Sequence, residues 1–285
     1  MLISYLGNFV PNEHAFSNIL ASGNLGYATS WDKRISVVPA DTTLTLDRNT
    51  WQLHTETVVP EFHEQNVDYK THKAALQNAI RENFETLNLD LAHWVLPLSG
   101  GYDSRGILMN LLKAQNLRTI TWGMETSVNE AGSDAYIAKQ LANKFDIPHK
   151  YYPTDFSDEP MSLLFERFLK VGEGRSDNIG GYLDGFSIWR TLFDERYLGV
   201  IRGDEGFGWT RVKTEKEARM KNGLHKLEDY ENLSQVIGDL PEVELPDTLR
   251  KRDNENVAAW RDRLYHQFHI PTVLAGLSDC GRRKY

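Results

Sequence analysis

The stretch that decides the fold is VLPLSGGYDS at positions 95–104, which runs on into RGILMNLL at 105–112. Its first part is short and apolar, as in a buried strand, and the second repeats apolar residues at helical spacing. The two glycines between them predict a tight turn that lets the backbone approach a ligand closely. The helix that follows begins with unpaired N–H groups and the positive end of its dipole, so the turn predicts an anion site.

Three side chains of this turn indicate phosphate together with a metal ion. Ser99 and Ser104 offer hydroxyl groups to phosphate oxygens. Asp103 would repel an anion unless a cation such as Mg²⁺ lay between its carboxylate and the phosphates. The pattern is neither a kinase-type P-loop, since GxxxxGK[ST] is absent from the chain, nor a GxSxG nucleophile elbow. An ordinary strand-to-helix turn is the alternative interpretation.

The motif SGGYDS at 99–104 resembles the SGGxDS pyrophosphate loop of the N-type ATP pyrophosphatases, which include asparagine, β-lactam, GMP and NAD synthetases. The chain is similar to the synthetase domain of asparagine synthetase. The resemblance implies an α/β fold of the adenine nucleotide α-hydrolase (PP-loop, HUP-like) type, whose mostly parallel sheet is doubly wound. It implies Asp103 as a catalytic Mg²⁺ ligand and an ATP site that includes Leu98, Ser99, Gly100, Gly101, Asp103 and Ser104.

Composition limits the classes of function. The chain has 285 residues, 40% of them hydrophobic, which suffices for a real core. A formal net charge of −8, from 32 basic and 40 acidic side chains, argues against nucleic acid as the main partner. Without an 18-residue apolar run or a signal peptide, we expect a cytoplasmic protein with no membrane partner. The single cysteine, Cys280, permits no internal disulfide and is expected to be a passive thiol.

Strands and helices are predicted to alternate through the middle of the chain. Strands are expected at 94–98, 117–122, 147–152 and 197–201, and helices at 68–89, 105–112, 133–145, 161–171 and 182–193. Such alternation favours a parallel sheet with right-handed crossovers. Ligands of such sheets bind beyond the carboxyl ends of the strands, near the point where strand order reverses. The loops after 98, 122 and 201 are therefore expected to form the site.

Two of these loops extend the resemblance. In the family, the segment equivalent to WGME at 122–125 holds the adenine ring, which implies Trp122 and Gly123 as nucleotide contacts. A core tryptophan beside a turn glycine is the alternative. The segment RGDEGFGW at 202–209 resembles the GSDE region of asparagine synthetases, although Arg202 and Trp209 depart from it. It implies that Gly203, Asp204 and Glu205 bind nucleotide and that Asp204 is a second catalytic Mg²⁺ ligand, with a solvated acidic turn as the alternative.

Both ends of the chain differ in character from the middle. Residues 1–65 are predicted to form a small β-rich segment, with strands at 2–5, 26–28, 35–38 and 43–46. The run VVPADTTLTL at 37–46 loosely resembles the end of the glutaminase domain of asparagine synthetases, and a glutaminase remnant and an unrelated cap both stay open. That family uses an N-terminal cysteine, where this chain has Leu2, so we expect no glutamine hydrolysis.

Residues 66–285 are the predicted ATP pyrophosphatase domain, which we expect to be helical and curtailed after 212. Helices are predicted at 213–224, 227–237 and 246–268, the last with Val257, Trp260, Leu264 and Phe268 on one apolar stripe. The family's helical part carries a lysine that neutralises pyrophosphate, for which Lys251 and Lys284 are candidates. Arg175, in the glycine-rich stretch 173–181, is either a substrate contact or a solvated loop residue.

The resemblance implies an ATP-dependent, AMP-forming amide ligase. A small-molecule carboxylate would be adenylated with release of pyrophosphate, and an amine or ammonia would then form the amide, with a partner amidotransferase or a homo-oligomer as a possible supplement. Two alternatives stay open. One is a tRNA-modifying or sulfur-transferring member, against which the absence of paired cysteines and of a basic surface counts. The other is a nucleotide-binding subunit without catalysis that needs a partner.

Overall fold

The computed structural model describes residues 5–63, 65–175, 177–203, 211–232, 240–241 and 244–272. The described residues divide into two compact units. One is drawn from Met1–Glu64, Phe165–Ile179 and Phe207–Tyr285, and the other from Gln65–Leu164 and Gly180–Gly206. The loop at 99–104 belongs to the second unit.

The described residues contain eight α-helices and six β-strands. In chain order they are α1 (Glu13–Ser22), β1 (Thr42–Asp47), β2 (Gln52–Thr57), α2 (Tyr69–Glu85), β3 (Trp94–Pro97), α3 (Tyr102–Leu111), β4 (Thr119–Gly123), α4 (Asp134–Lys144), β5 (His149–Pro153), α5 (Met161–Gly172), α6 (Ser187–Asp194), β6 (Gly199–Val200), α7 (Glu215–Lys221) and α8 (Val257–Leu264). Short 3₁₀ turns lie at Glu125–Asn129, Gly180–Tyr182, Leu227–Asp229 and Asp247–Leu249. A π-helical turn over Tyr265–His269 continues α8.

The second unit contains a four-stranded, all-parallel sheet in the order β5-β4-β3-β6. The predicted α/β class with a parallel sheet is therefore confirmed. Strand order reverses at β3, because β4 and β5 are added on one side of it and β6 lies on the other side. Two helix boundaries differ clearly from the prediction: the helix predicted to run to 89 ends at Glu85, and the helix predicted from 182 begins only at Ser187. Gly185 and Phe186 have φ of 73° and 64°, a left-handed backbone that a helix cannot contain.

The core of this unit explains why β3 lies in the middle of the sheet. Successive strand residues point to opposite faces. On one face Leu96 is fully buried in a cluster with Leu108 of α3 and Ala138 of α4. On the other face Val95 is buried with Ile188 of α6. Each such apolar side chain contributes about 2 kcal/mol when fully buried, so helices cover both faces of the central strand.

Pro97 sets the end of the pairing between β3 and β6. The N–H of Leu96 donates to the carbonyl of Arg118, just before β4, at 3.1 Å, and the N–H of Leu98 donates to the carbonyl of Ile120 in β4 at 2.8 Å. The backbone N–H and carbonyl groups of the odd-numbered residues of β3 therefore point toward β6. The N–H of Ile201 donates to the carbonyl of Val95 at 2.8 Å. The next bond of this ladder would need an N–H at Pro97, which proline lacks. Pairing therefore stops, and β3 and β6 can separate beyond this point.

The amino-terminal part of the first unit contains a hairpin and a helix. β1 confirms the strand predicted at 43–46, and it pairs antiparallel with β2, which was not predicted. The strand predicted at 26–28 was wrong, because Gly26 and Ala28 have left-handed φ values of 84° and 52°. Residues 35–38 were also wrongly predicted as a strand: Val37 makes one backbone bond, to Ala28, but no ladder. The strand predicted at 2–5 lies, apart from Tyr5, outside the described residues.

Helix α1 escaped prediction because its buried face is made of small residues. Its buried side chains are those of Ala15, Ser17, Asn18 and Ala21, which are small or polar and produce little apolar periodicity. Its ends follow ordinary rules. The backbone is extended at the preceding residue, Asn12, and left-handed at Gly23, with φ of 69°.

The carboxyl-terminal part of the first unit is helical, as predicted, although its helices are shorter. The predicted stripe is confirmed, since Trp260, Leu264 and Phe268 are buried in one cluster against which Val257 packs. Of the helix predicted at 227–237, a 3₁₀ turn at Leu227–Asp229 is observed, and 233–239 lie outside the described residues. Among the described residues, no helix is both long enough and apolar enough to cross a membrane.

We predict that Gly199→Ala destabilises the second unit. A Cβ at this position would lie 2.5 Å from Cζ3 of Trp94, the residue paired with Gly199 across β3 and β6. Crowding of this kind costs about 1–3 kcal/mol, measurable as a lower free energy of unfolding in urea. Gly181→Ala is the matched control, because nothing lies within 4 Å of its added Cβ and neither glycine has a positive φ. Equal stability of the two variants would contradict the packing argument.

Candidate nucleotide site

A cavity of about 320 Å³ opens in the second unit at the carboxyl ends of β3, β4 and β6. The predicted loops after 98 and 201 contribute to it, whereas β4 contributes the strand residues Thr121 and Trp122 and none of the loop after 122 lines it. Seven of the predicted residues line it: Leu98, Ser99, Gly101, Asp103, Ser104, Trp122 and Gly203. Gly100 and Gly123 are not among its lining residues. Asp204 and Glu205 lie outside the described residues, so their predicted roles stay predictions.

The two serines of the loop hold the turn closed. The backbone N–H of Ser99 donates to Oγ of Ser104 at 3.1 Å, and the N–H of Gly101 donates to Oγ of Ser99 at 3.1 Å. The two hydroxyl oxygens are 2.9 Å apart, so one hydroxyl donates to the other. Oγ of Ser104 also lies 3.4 Å from the carbonyl oxygen of Ser99 and 3.5 Å from that of Gly101. The serines therefore shape the loop that leads into α3.

The two glycines of the loop are required for different reasons. A Cβ at Gly100 would lie 2.7 Å from Oδ1 of Asp134 and 2.9 Å from Cδ1 of Ile137, so a larger residue would displace these two side chains of α4. Gly101 is the residue before α3, with an ordinary extended backbone, and its added Cβ would meet only Oγ of Ser99, at 3.2 Å. Packing thus explains Gly100, whereas the bare backbone at Gly101 leaves space on the cavity side.

The loop after β6 runs against the start of α3. A Cβ at Gly203 would lie 2.8 Å from Cδ1 of Ile107 and 3.2 Å from Cβ of Asp103. Asp103 stands in the first turn of α3 and lines the cavity. The chain therefore passes beside this aspartate one residue before Asp204. Within the described ranges no group of three or more His, Cys, Asp or Glu could hold a metal.

On the β4 side of the cavity, Trp122 fits both interpretations given to it. It lines the cavity and also packs edge-on against Trp189, with ring centroids 6.0 Å apart, next to the core. Gly123 is explained by packing, since its added Cβ would lie 3.0 Å from the hydroxyl of Tyr151. That hydroxyl donates to the carbonyl of Met124 at 2.6 Å, and burial raises the pKa of Tyr151.

Four lining residues of the cavity were not predicted as site residues: Pro97, Thr121, Asp134 and Arg202. Asp134 accepts the N–H of Gly100 at 3.0 Å from the first turn of α4. A signal for its helix start existed, because Ser133 precedes it and caps the helix by accepting the N–H of Tyr136. Nothing in the sequence connected that helix start with the loop at 99–104.

The remaining candidates belong to the first unit or lie outside the described residues. Arg175 and Lys251 are in the first unit, where Arg175 lies 3.5 Å from the carboxylate of Glu173 and Lys251 lies 3.7 Å from that of Glu215. Lys284 and Cys280 lie outside the described residues. A scan against models of known protein families gives no match, and no curated protein matches the chain. The case for a nucleotide site therefore depends on the loop and its surroundings.

We predict that Asp134→Asn strengthens binding of metal-free pyrophosphate about fivefold. Asparagine keeps an oxygen for the N–H of Gly100 but removes a negative charge from the cavity, and one charge at about 4 Å in water is worth about 1 kcal/mol. Calorimetry with pyrophosphate and a chelator measures the change.

The control for that measurement is Asp194→Asn. Asp194 is the last residue of α6 and precedes β6. The same charge change is therefore made near the amino end of β6, away from the carboxyl ends where the cavity lies. Weaker binding to Asp134→Asn, or equal gains in both variants, would contradict a local effect of the Asp134 charge.

Proposed function

We propose that this chain binds Mg-ATP at the loop 99–104 and uses it to adenylate a carboxylate, as an AMP-forming amide ligase resembling asparagine synthetase. One observation carries the proposal: the SGGYDS loop and Gly203 line a single cavity at the reversal of strand order. The order β5-β4-β3-β6 and the helices on both faces support the finer assignment to a doubly wound sheet of the adenine nucleotide α-hydrolase type.

The start of α3 is suited to the β- and γ-phosphates. It offers unpaired N–H groups and the positive end of a ten-residue helix, and the bare backbone of Gly101 allows close approach. Trp122 lines the same cavity, and we assign its aromatic ring to the adenine. Asp103 fits a Mg²⁺ ligand, Asp204 follows the glycine that packs beside it, and bound Mg²⁺ would neutralise phosphate charge.

The chemistry requires the protein mainly to position groups and to stabilise charge. A carboxylate oxygen of the substrate forms a bond to the α-phosphorus, the bond between that phosphorus and the bridging oxygen to the β-phosphorus breaks, and pyrophosphate leaves with the electron pair. An amine or ammonia then attacks the acyl carbon, AMP leaves, and the nitrogen loses a proton to solvent. No side-chain nucleophile takes part, and we expect ammonia or a partner amidotransferase rather than glutamine hydrolysis by this chain.

A second function, nucleotide binding without catalysis, is favoured by one observation. The carboxylate of Asp134 accepts the N–H of Gly100, a donor that a phosphate would otherwise use. A subunit arranged in this way would bind ATP without supporting exchange of pyrophosphate, and it would need a partner. Calorimetry and ATP–pyrophosphate exchange, run on the same preparation, separate the two functions.

We predict that Gly101→Val weakens Mg-ATP binding at least tenfold and abolishes ATP–pyrophosphate exchange, because a branched side chain enters the space assigned to the phosphates. Gly106→Val is the matched control on α3. Nothing lies within 4 Å of a Cβ there, and valine and glycine differ by less than about 0.5 kcal/mol in helix propensity. Unchanged ATP affinity in Gly101→Val would contradict the assignment of the phosphates to this loop.

We also predict that Asp103→Asn and Asp204→Asn each reduce Mg-ATP affinity about tenfold or more while leaving metal-free ATP binding equal or slightly stronger. A carboxylate beside a triphosphate is repulsive without metal and attractive with it. Titrations with ATP in Mg²⁺ and in chelator measure both states. If either variant loses affinity equally in both conditions, that aspartate acts through the fold of the loop and not through a metal ion.

A further inference from the structure

The charges that line the cavity are unequal in number. Asp103 and Asp134 bring carboxylates to it, and Arg202 is the one Lys or Arg among the described residues that line it. A triphosphate adds several negative charges, of which one Mg²⁺ would neutralise only two. Charge of the opposite sign next to the phosphates is therefore needed, and within the described lining Arg202 supplies it.

The position of Arg202 follows from the same constraint that opens the cavity. Its neighbour Ile201 makes the last backbone bond to β3, at Val95, and pairing then ends opposite Pro97. Arg202 is thus the first residue of β6's loop beyond the sheet, and its side chain is exposed to solvent. The next residue, Gly203, already packs against Asp103. Arg202 and the loop at 99–104 therefore line the same cavity.

The guanidinium group suits pyrophosphate better than an ammonium group would. Its planar arrangement of N–H donors bonds two phosphate oxygens at once, and it stays charged at any physiological pH. The two other basic candidates that the structure describes belong to the first unit, where Lys251 lies beside Glu215 and Arg175 beside Glu173.

We infer that Arg202 contacts the leaving pyrophosphate and stabilises the negative charge that develops on it during adenylation, which makes it a catalytic residue of this chain. The inference rests on the proposed function. When the bond between the α-phosphorus and the bridging oxygen breaks, that oxygen keeps the electron pair. A fixed cation near the pyrophosphate is then worth more in the transition state than in bound ATP.

The test compares Arg202→Gln and Arg202→Lys with Arg118→Gln. Arg118 precedes β4 and is exposed at the opposite edge of the sheet, so its variant makes the same change of charge away from the cavity. In Arg202→Gln we expect Mg-pyrophosphate affinity to fall about tenfold, AMP affinity to stay unchanged, and ATP–pyrophosphate exchange to slow about 100-fold, as for loss of one donor to a developing oxyanion. Arg202→Lys should recover part of the exchange rate, and Arg118→Gln should match the wild type.

The outcomes separate the inference from the proposed function. If the wild-type chain binds Mg-ATP but Arg202→Gln keeps its pyrophosphate affinity and exchange rate, the inference is wrong and the proposed function survives. If AMP affinity falls as much as pyrophosphate affinity, Arg202 serves the α-phosphate or the carboxylate, and the inference is again wrong. If the wild-type chain binds neither ATP nor pyrophosphate, both fail together.

Discussion

The hydrogen bond that Pro97 cannot make sets the point at which β3 and β6 separate, and the cavity opens there. In a parallel sheet, every second residue of a strand normally makes backbone hydrogen bonds to the same neighbouring strand. At position 97 of β3 the next N–H would be donated to β6. Proline interrupts it one step after the bond from Ile201 to Val95. The gap coincides with the reversal of strand order, so the chain parts at the place where an open α/β sheet binds ligands.

Glycines around this gap divide into those that serve packing and one that does not. Gly100, Gly199 and Gly203 each have a heavy atom within 2.8 Å of an added Cβ, contributed by α4, β3 or α3. A Cβ at these positions would displace the side chains of Asp134, Trp94 and Ile107, respectively. Gly101 meets only a serine hydroxyl, at 3.2 Å, and its backbone is one that other residues adopt readily. Packing within the fold therefore gives little reason for glycine at 101. This agrees with the proposal that the backbone at 101 is left without a side chain so that a ligand can approach it.

Sequence reasoning succeeded where a single local signal sufficed. The apolar strand, the glycine turn and the helical spacing of 95–112 identified β3, the loop and α3, and βα alternation gave the parallel sheet. It failed where the signal was weak or not local. The small buried residues of α1 gave no stripe, and the left-handed backbone at Ala28 and Phe186 broke predicted elements that residue type alone favoured. The contact between Asp134 and Gly100 joins residues 34 positions apart, and only the fold reveals it.

That contact also bears on the electrostatics of the cavity. A carboxylate that accepts a loop N–H reduces the attraction of the site for a bare anion, and Asp103 adds a second negative charge. A simple phosphate-binding loop would gain nothing from this arrangement, because each acid opposes its ligand. Acids next to helix N-termini become favourable when the ligand arrives with its own cations, since the metal then interacts with carboxylate and phosphate together. Among the described lining residues, the two carboxylates and one arginine therefore support the proposal of a metal-bound nucleotide, rather than a free anion, as the ligand.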